Sequence, residues 1–241
     1  MRRLTGVWME FKGETNRQHN CELLGMPTRY SPAMNGEAKS VSGQSGTVLV
    51  TDGSFRDVEI TVTFDLRNGE RMSEVNAWLS GSGLLRFSDE PNLAYEARIL
   101  RNFRHSSFAK RLDGQTYSVT FTCKPFRVWV PAVAPITVSA SGTTLYNPGT
   151  APARPVVTIT GSGDFTVTIA GQSIDFTGVS GGILVDCEQM DALDPTRTTL
   201  LNDRIDGRPW EIPPGAFAVE WDTTEGGSVS SVALAPNWRW M

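Results

Sequence analysis

From Val58 to Leu66 the chain alternates without a break. Val58, Ile60, Val62, Phe64 and Leu66 are apolar, and Glu59, Thr61, Thr63 and Asp65 between them are polar. Successive side chains of an extended strand point to opposite faces. This spacing therefore predicts a strand with one face in a core and the other in water. Tyr117–Cys123 repeats the pattern and predicts a second such strand. One stretch has helical spacing instead: across Glu70–Leu79, the residues Met72, Val75 and Trp78-Leu79 share a face, Asn68 precedes as a cap and Gly81 follows as a stop. Met1–Phe11 reads as an opening strand, Leu84–Pro91 as a short strand and turn, and Ala94–Arg104 as a further strand. The first half is thus predicted to be mostly β, with one helix packed against it.

The pattern changes after Cys123. Lys124–Pro135 carries Pro125, Pro131 and Pro135, which cannot donate to a sheet ladder and favour extended chain, so a domain boundary is placed here, at residue 131. Beyond it the chain shows no helical spacing. Val156–Thr160 and Phe165–Ile169 read as strands flanking a Gly161-Ser162-Gly163-Asp164 turn, and Gly171 turns the chain into Ile174–Phe176. Ile183–Asp186, Ala216–Trp221 and Val229–Ala235 follow. With 23 Gly and 14 Pro punctuating short strands, and no helices to support parallel crossovers, the second half reads as an antiparallel β-sandwich. The expected organisation is a β-rich domain over residues 1–131 and a sandwich over 132–241, with the last strand free to pack back on the first domain.

Composition narrows the function classes. The chain has 241 residues, 39% of them hydrophobic and 20% charged, which suits core formation and excludes a largely disordered chain. A net charge of −4 is no signature of a protein that clamps nucleic-acid phosphates. No apolar run approaches the roughly 20 residues of a membrane span, so no membrane binding is expected. Glu10, Lys12 and Glu14 interrupt the start where a signal peptide needs an apolar run, so synthesis and folding in a cytoplasm are expected. Cys21, Cys123 and Cys187 are odd in number and form no CxxC pair, so they are expected to be buried free thiols rather than zinc ligands or a disulfide framework.

The residues offer little catalytic chemistry. The two histidines, His19 and His105, have no motif partner nearby, and His105 reads as part of a loop. There is no Gly-x-Ser-x-Gly elbow and no Gly-rich phosphate loop between a strand and a helix. Asp186-Cys187-Glu188-Gln189-Met190-Asp191 lacks the spacing of a calcium loop and reads as a strand end running into an acidic surface loop. Asp203-Arg204-Ile205-Asp206-Gly207 reads as a turn. The expectation is no enzyme, no cofactor and no metal. Four of the seven tryptophans, Trp210, Trp221, Trp238 and Trp240, lie in the last third. Trp221 reads as core, whereas Trp210 and Trp238 are candidates to stack on sugar rings, which keeps a carbohydrate-binding module as the alternative function. Trp238 and Trp240 alternate around Arg239 and read as one face of a final strand. The Ser- and Gly-rich stretch Gly36–Gly46 reads either as a mobile loop or as the start of an arm reaching a neighbouring subunit, with Gly36, Ser40, Ser42, Gly43 and Gln44 as candidate contacts.

Several stretches share an order with a known family. Trp78–Asp89 contains Trp78-Leu79, Gly81, Gly83, Leu85, Phe87 and Asp89, and resembles a stretch of the distal tail proteins of long-tailed siphophages. Ala94-Tyr95-Glu96-Ala97-Arg98 and Val119–Phe126 resemble two strands of the same family. Asn147–Ala151, Pro155–Gly163, Val185–Glu188, Pro213-Pro214-Gly215 and Pro236–Trp240 continue the resemblance in order. Met1–Phe11 and Arg29–Ser45 match less clearly. The resemblance implies a mainly β protein: an N-terminal belt domain that closes into a homo-oligomeric ring, usually a hexamer, followed by a C-terminal galectin-like antiparallel β-sandwich. It implies a structural virion protein of the tail tip, made in the host cytoplasm. The implied partners are the tail tube protein, the tail-associated hub protein, the tape measure and receptor-binding proteins, with DNA passing through only as cargo. Some relatives carry a carbohydrate-binding insertion, for which this chain has no room.

Overall fold

A computed structural model gives the structure, which describes residues 6–66, 71–101, 104–107, 115–224 and 226–241. The chain divides into two compact units, Met1–Val130 with Met241, and Pro131–Trp240. Among the described residues the fold is mainly β with one α-helix, as expected.

In unit 1, β1 (Met9–Phe11) and β2 (Glu14–Thr15) form a tight hairpin through Lys12 and Gly13, whose φ values of 55° and 83° suit the twist of a two-residue turn. β3 (Cys21–Leu23) follows, then β4 (Met34–Ser40) and β5 (Thr47–Phe55), which among the described residues pair only with each other. The remaining elements are β6 (Val58–Leu66), α1 (Met72–Trp78), β7 (Ser82–Phe87), β8 (Leu93–Arg98), β9 (Arg104–Ser107) and β10 (Gln115–Trp129). One sheet runs β2-β1-β7-β8-β10-β6-β3, with β9 also on β10.

The two alternating stretches are partners. β6 and β10 pair antiparallel with Val62 opposite Val119 and Ile60 opposite Phe121. All five apolar residues of β6 are buried, together with Tyr117, Val119, Phe121 and Cys123. A slip of one residue would turn both apolar rows into water, so burial fixes the register. On the outer face Thr61 and Thr120 hydroxyls lie 2.9 Å apart. The sheet curls: Phe11 and Phe121 rings meet edge-on at 5.1 Å, although β7 and β8 stand between their strands in the sheet order. α1 closes the inner face with Val75, Trp78 and Leu79, and the Trp78 indole Nε1 donates to the Phe11 carbonyl at 3.0 Å.

Several details differ from the sequence expectations. The cap expected at Asn68 lies outside the described residues, as do the first five residues of the expected opening strand. β8 ends at Arg98 instead of running to Arg104, and His105 lies in β9, opposite Tyr117 of β10, rather than in a loop. β10 continues through Pro125 to Trp129. Its register to β8 shifts between Cys123 and Arg127, and this irregularity accommodates a residue without an N–H to donate.

Unit 2 comprises β11 (Ile136–Val138), β12 (Thr143–Asn147), β13 (Val156–Ile169), β14 (Gln172–Val179), β15 (Ile183–Asp186), β16 (Asp191–Leu193), β17 (Ile205–Asp206), β18 (Gly215–Thr223), β19 (Ser228–Ala235) and β20 (Arg239–Trp240). Two antiparallel layers result: β11-β19-β13-β15-β16 and β12-β18-β13-β14-β17. β13 belongs to both. Its first half pairs with β15 and β19, and its second half with β14 and β18.

The expected turn at Gly161–Asp164 is therefore a corner inside one long strand, and the two short strands expected on either side of it are one. Register shifts at Thr160/Gly161 and Gly163/Phe165 bend the chain from one layer into the other. Glycine is needed there because the facing backbone comes close. A Cβ on Gly161 would run into the Ser228 carbonyl, and one on Gly163 would lie 2.7 Å from the Gly226 carbonyl oxygen, at a φ of +82°. Between the layers lies a core that includes Val157, Ile159, Phe165, Val167, Ile174, Phe176, Trp210, Phe217 and Trp238. The buried Asn147 side chain ties this core's edge together: its amide donates to the Ile212 carbonyl at 3.0 Å, and its oxygen accepts from the Gly149 N–H at 2.9 Å.

The three cysteines are buried free thiols, as expected. Burial pushes each thiol up to about 12 from 9.0; at Cys123 the nearby Asp57 charge adds to this, and at Cys187 a hydrogen bond with the Trp210 backbone opposes it. Below pH 9.0 both folded and unfolded thiols keep their protons, and stability is complete. Between about pH 9 and 12 the unfolded chain loses protons that the folded chain holds, so stability falls by about 1.4 kcal/mol per thiol per pH unit. From the thiols alone, unit 1, with Cys21 and Cys123, is expected to weaken about twice as steeply as unit 2, with Cys187 alone; above pH 10 Tyr95 and Tyr117, which burial also pushes up, steepen the loss in unit 1 further. Urea midpoints measured from pH 8 to 11, for the native chain and for Cys→Ala variants, check this. A pH slope unchanged by the substitutions would refute it.

Candidate assembly surface

The β4–β5 hairpin stands apart from the sheet of unit 1. Ser40 pairs with Thr47, Lys39 with Val48, Ala38 with Leu49, and Glu37 with Val50. Residues directly opposite share a face. One face therefore carries Glu37, Lys39, Val48 and Val50, and the other carries Ala38, Ser40, Thr47 and Leu49. Neither is covered: Val48 is 45% exposed, Leu49 57% and Val50 52%. An isolated two-stranded hairpin is marginal in water, and three adjacent exposed aliphatics gain most by burial against another protein.

The hairpin is firmly rooted. Phe55 at its end meets Phe126 of β10 edge-on at 5.3 Å, and the Arg56 N–H donates to the Ala33 carbonyl at 2.9 Å. Just before it, Arg29 pairs with Asp89 and, at 3.1 Å, with Glu90. Its guanidinium also lies over the Phe87 ring, 5.5 Å from the centroid. Arg127 reaches the same Glu90 at 2.5 Å. Basic groups on the entering segment and on β10 thus converge on the β7–β8 turn and hold the hairpin's base to the body.

All five contact candidates fall on this hairpin and are described there. Gly36 lies within β4, where a Cβ would stand 2.8 Å from the Val50 carbonyl oxygen, so cross-strand closeness explains that glycine. Ser40 ends β4, and Ser42, Gly43 and Gln44 form the tip, where the Gln44 N–H donates to the Val41 carbonyl at 3.1 Å and Gly43 has a φ of 83°. The aliphatic residues Val48, Leu49 and Val50 were not among the candidates. Their signal was an apolar run without alternation, which by itself reads as a buried strand.

The sugar-stacking candidates lie elsewhere. Trp210 is 0% exposed and Trp238 5%, so neither presents a ring face to a ligand. Trp210 packs near Phe176, and its Nε1 donates to the Gln172 carbonyl at 2.8 Å. Trp238 meets Phe217 edge-on. Both rings are buried among their neighbours, and stacking on a sugar requires a free ring face.

The remaining polar candidates are accounted for locally. His19 stacks on Trp78 at 4.4 Å, with its Nε2 2.6 Å from Glu14. The Asp186 carboxylate accepts from the Glu188 and Gln189 N–H groups, which closes the acidic turn, and Glu188 pairs with Arg239. Among the described residues no group of three or more His, Cys, Asp or Glu could hold a metal ion. No helix among them is long and apolar enough to cross a membrane.

No protein-family model and no curated protein matches the chain. Among solved structures it is similar to the SPP1 Dit (gp 19.1) protein, described as a paradigm of the hub adsorption apparatus in phages infecting Gram-positive bacteria. The TM-score is 0.67 at 15% sequence identity, over 95% of this chain and 97% of that one. Both units, in order and nearly end to end, take part in the match, and the chain has a Dit-like fold.

Proposed function

We propose that this chain is a structural subunit of the tail-tip hub of a long-tailed phage. Copies of unit 1 close into a homo-oligomeric ring, of six subunits as the family resemblance implies, that joins the tail tube to the tip and leaves a channel for DNA. The observation that carries this reading is the Dit-like fold over 95% of the chain. The exposed hairpin supports it, because a ring is built from one heterologous contact repeated by rotation, and an uncovered apolar element offers one side of such a contact. The net charge of −4 is compatible with a lumen through which DNA slides without being held. The partners in this reading are further copies of the chain, the tail tube protein and the tail-associated hub protein, with the tape measure and receptor-binding proteins beyond them. The chain's role there is architectural rather than enzymatic, and unit 2 is the galectin-like domain.

Electron microscopy of intact virions, with this chain carrying a tag, tests the reading. The label is expected at the junction of tube and tip in every particle. Its absence from that junction would sink the proposal.

A further inference from the structure

In unit 2, β12 is an open edge of its layer. Among the described residues it pairs with β18 alone, and no other backbone group bonds to its Thr143–Asn147 backbone. Every second residue of an edge strand turns its N–H and C=O outward, where an extended chain can pair with them. Edges left open in this way are commonly blunted, and the other edge strands of the two layers are. β17 is two residues long and holds Asp206, and β11 is three long and follows Pro135. β16 holds Asp191 and is backed by Leu201, whose N–H donates to the Ala192 carbonyl at 2.8 Å. β12 instead has five residues, Thr143-Thr144-Leu145-Tyr146-Asn147, in unbroken register with no charge, proline or bulge. Leu145 packs against the core, while Tyr146 is 66% exposed and stands opposite the small Ala216. A strand-forming stretch with an uncovered ring is a place for one more strand.

Charge says what kind of strand fits. Pro131–Trp240 carries twelve Asp and Glu against five Arg and no Lys, a net charge of −7. On the outer face of this layer Asp222, Thr166, Asp175 and Asp206 stand side by side across β18, β13, β14 and β17. Glu220 stands on the same face beside Thr168. Among the described residues none of these four carboxylates is in an ion pair, and Asp175 lies directly opposite Asp206, a like-charge pair that costs stability. Glu220 follows Val219, the partner of Thr143, and Gly142 puts no side chain between it and the edge. A strand added to β12 would run about 9.6 Å from β18, within the joint reach of a glutamate and a lysine or arginine.

We propose that the free edge of β12 accepts an extended, basic segment of another protein of the tail tip, an inference that rests on the hub reading above. The segment pairs with β12 through its backbone, which supplies affinity, and its alternate side chains supply selectivity. A β-branched or aromatic residue lies against Tyr146, and a lysine or arginine turns toward Glu220. A second copy of this chain is a poor occupant, because its own unit 2 brings the same negative charge to the edge.

Hydrogen exchange, compared between the isolated chain and the chain in intact virions, tests the edge. The outward amides of Thr143–Asn147 are expected to exchange freely in the isolated chain and at least about tenfold more slowly in virions. Benzoylphenylalanine placed at Tyr146 and irradiated in virions identifies the occupant by mass spectrometry. An adduct with an extended basic segment of another protein is expected, and Glu220→Lys is expected to lower its yield about threefold. An adduct with a copy of this chain, or with a segment that has no lysine or arginine, overturns the inference. So does exchange that is the same in both samples. In that case the chain's presence in the virion leaves the hub reading standing; if the chain is absent from virions, the hub reading falls and this inference with it.

Discussion

Replacing Trp210 by alanine will destabilise unit 2 by about 3–5 kcal/mol, the usual cost of removing a large aromatic ring from a packed core. Trp210 is fully buried, packs near Phe176 and donates its Nε1–H to the Gln172 carbonyl at 2.8 Å. Gln172 in turn contacts both sides of the neighbouring residue: its side chain accepts from the Glu211 N–H and donates to the Glu211 carbonyl. The indole therefore fixes the Trp210–Ile212 segment against the start of β14. Trp210→Phe keeps most of the packing but leaves the carbonyl without this donor, for a loss of about 1–3 kcal/mol. A domain is typically stable by about 5–15 kcal/mol, so the alanine variant approaches the point where unit 2 no longer folds at 37 °C. Urea denaturation followed by fluorescence checks both values. A Trp210→Ala chain with unchanged stability would mean that the ring does not fill this core, and would return it to the surface as a ligand platform.

Deleting Asn35–Ser54 and closing the gap with a short Gly-Ser linker will leave both units folded and abolish self-association. Among the described residues the hairpin's strands pair only with each other, so the described body loses no ladder hydrogen bond to them. Burying a Val or Leu side chain gives about 1.5–3 kcal/mol, so the loss of Val48, Leu49 and Val50 weakens association at least about a hundredfold. Calorimetry is expected to show an unchanged unfolding transition for unit 1. Native mass spectrometry is expected to show monomer where the intact chain, on the proposed hub reading, is expected to give rings. Rings that persist without the hairpin would remove it from the interface. A narrower change, Glu90→Ala, is expected to leave the hairpin in place but loosen its root, since Glu90 receives both Arg29 and Arg127.

The elements visible along the chain were those in which one face is buried and the other wet. β6 and the Tyr117–Cys123 part of β10 have this form, and α1 shows the same logic at helical spacing. The order of motifs shared with distal tail proteins reached further, to a mainly β chain with a sandwich as its second half, and the observed fold has that form. The candidate surface was legible in part. Ser and Gly marked the hairpin's tip, while the Val48–Val50 run looked like core, because an apolar stretch records a preference for burial without saying by what.

Gly161-Ser162-Gly163-Asp164 shows where such reading stops. Glycine permits a reversal and equally permits two backbones to come close, and the same four letters serve either. Only the positions of Ser228 and Gly226 across from β13 decide for the corner that carries one strand through both layers. Pro125 is similar: it reads as an end of strand, yet a register shift lets β10 pass through it. Trp210 and Trp238 carry the same ambiguity in their side chains, since an indole serves a core or a ligand equally well and its neighbours settle which. Alternation and periodicity therefore specified, for this protein, which residues avoid water and what local shape they take. Which strands share a layer, which rings lose both faces and which apolar run stays open for a second molecule were decided by tertiary contacts between residues far apart in the chain, because burial is a property of the surroundings and not of the residue.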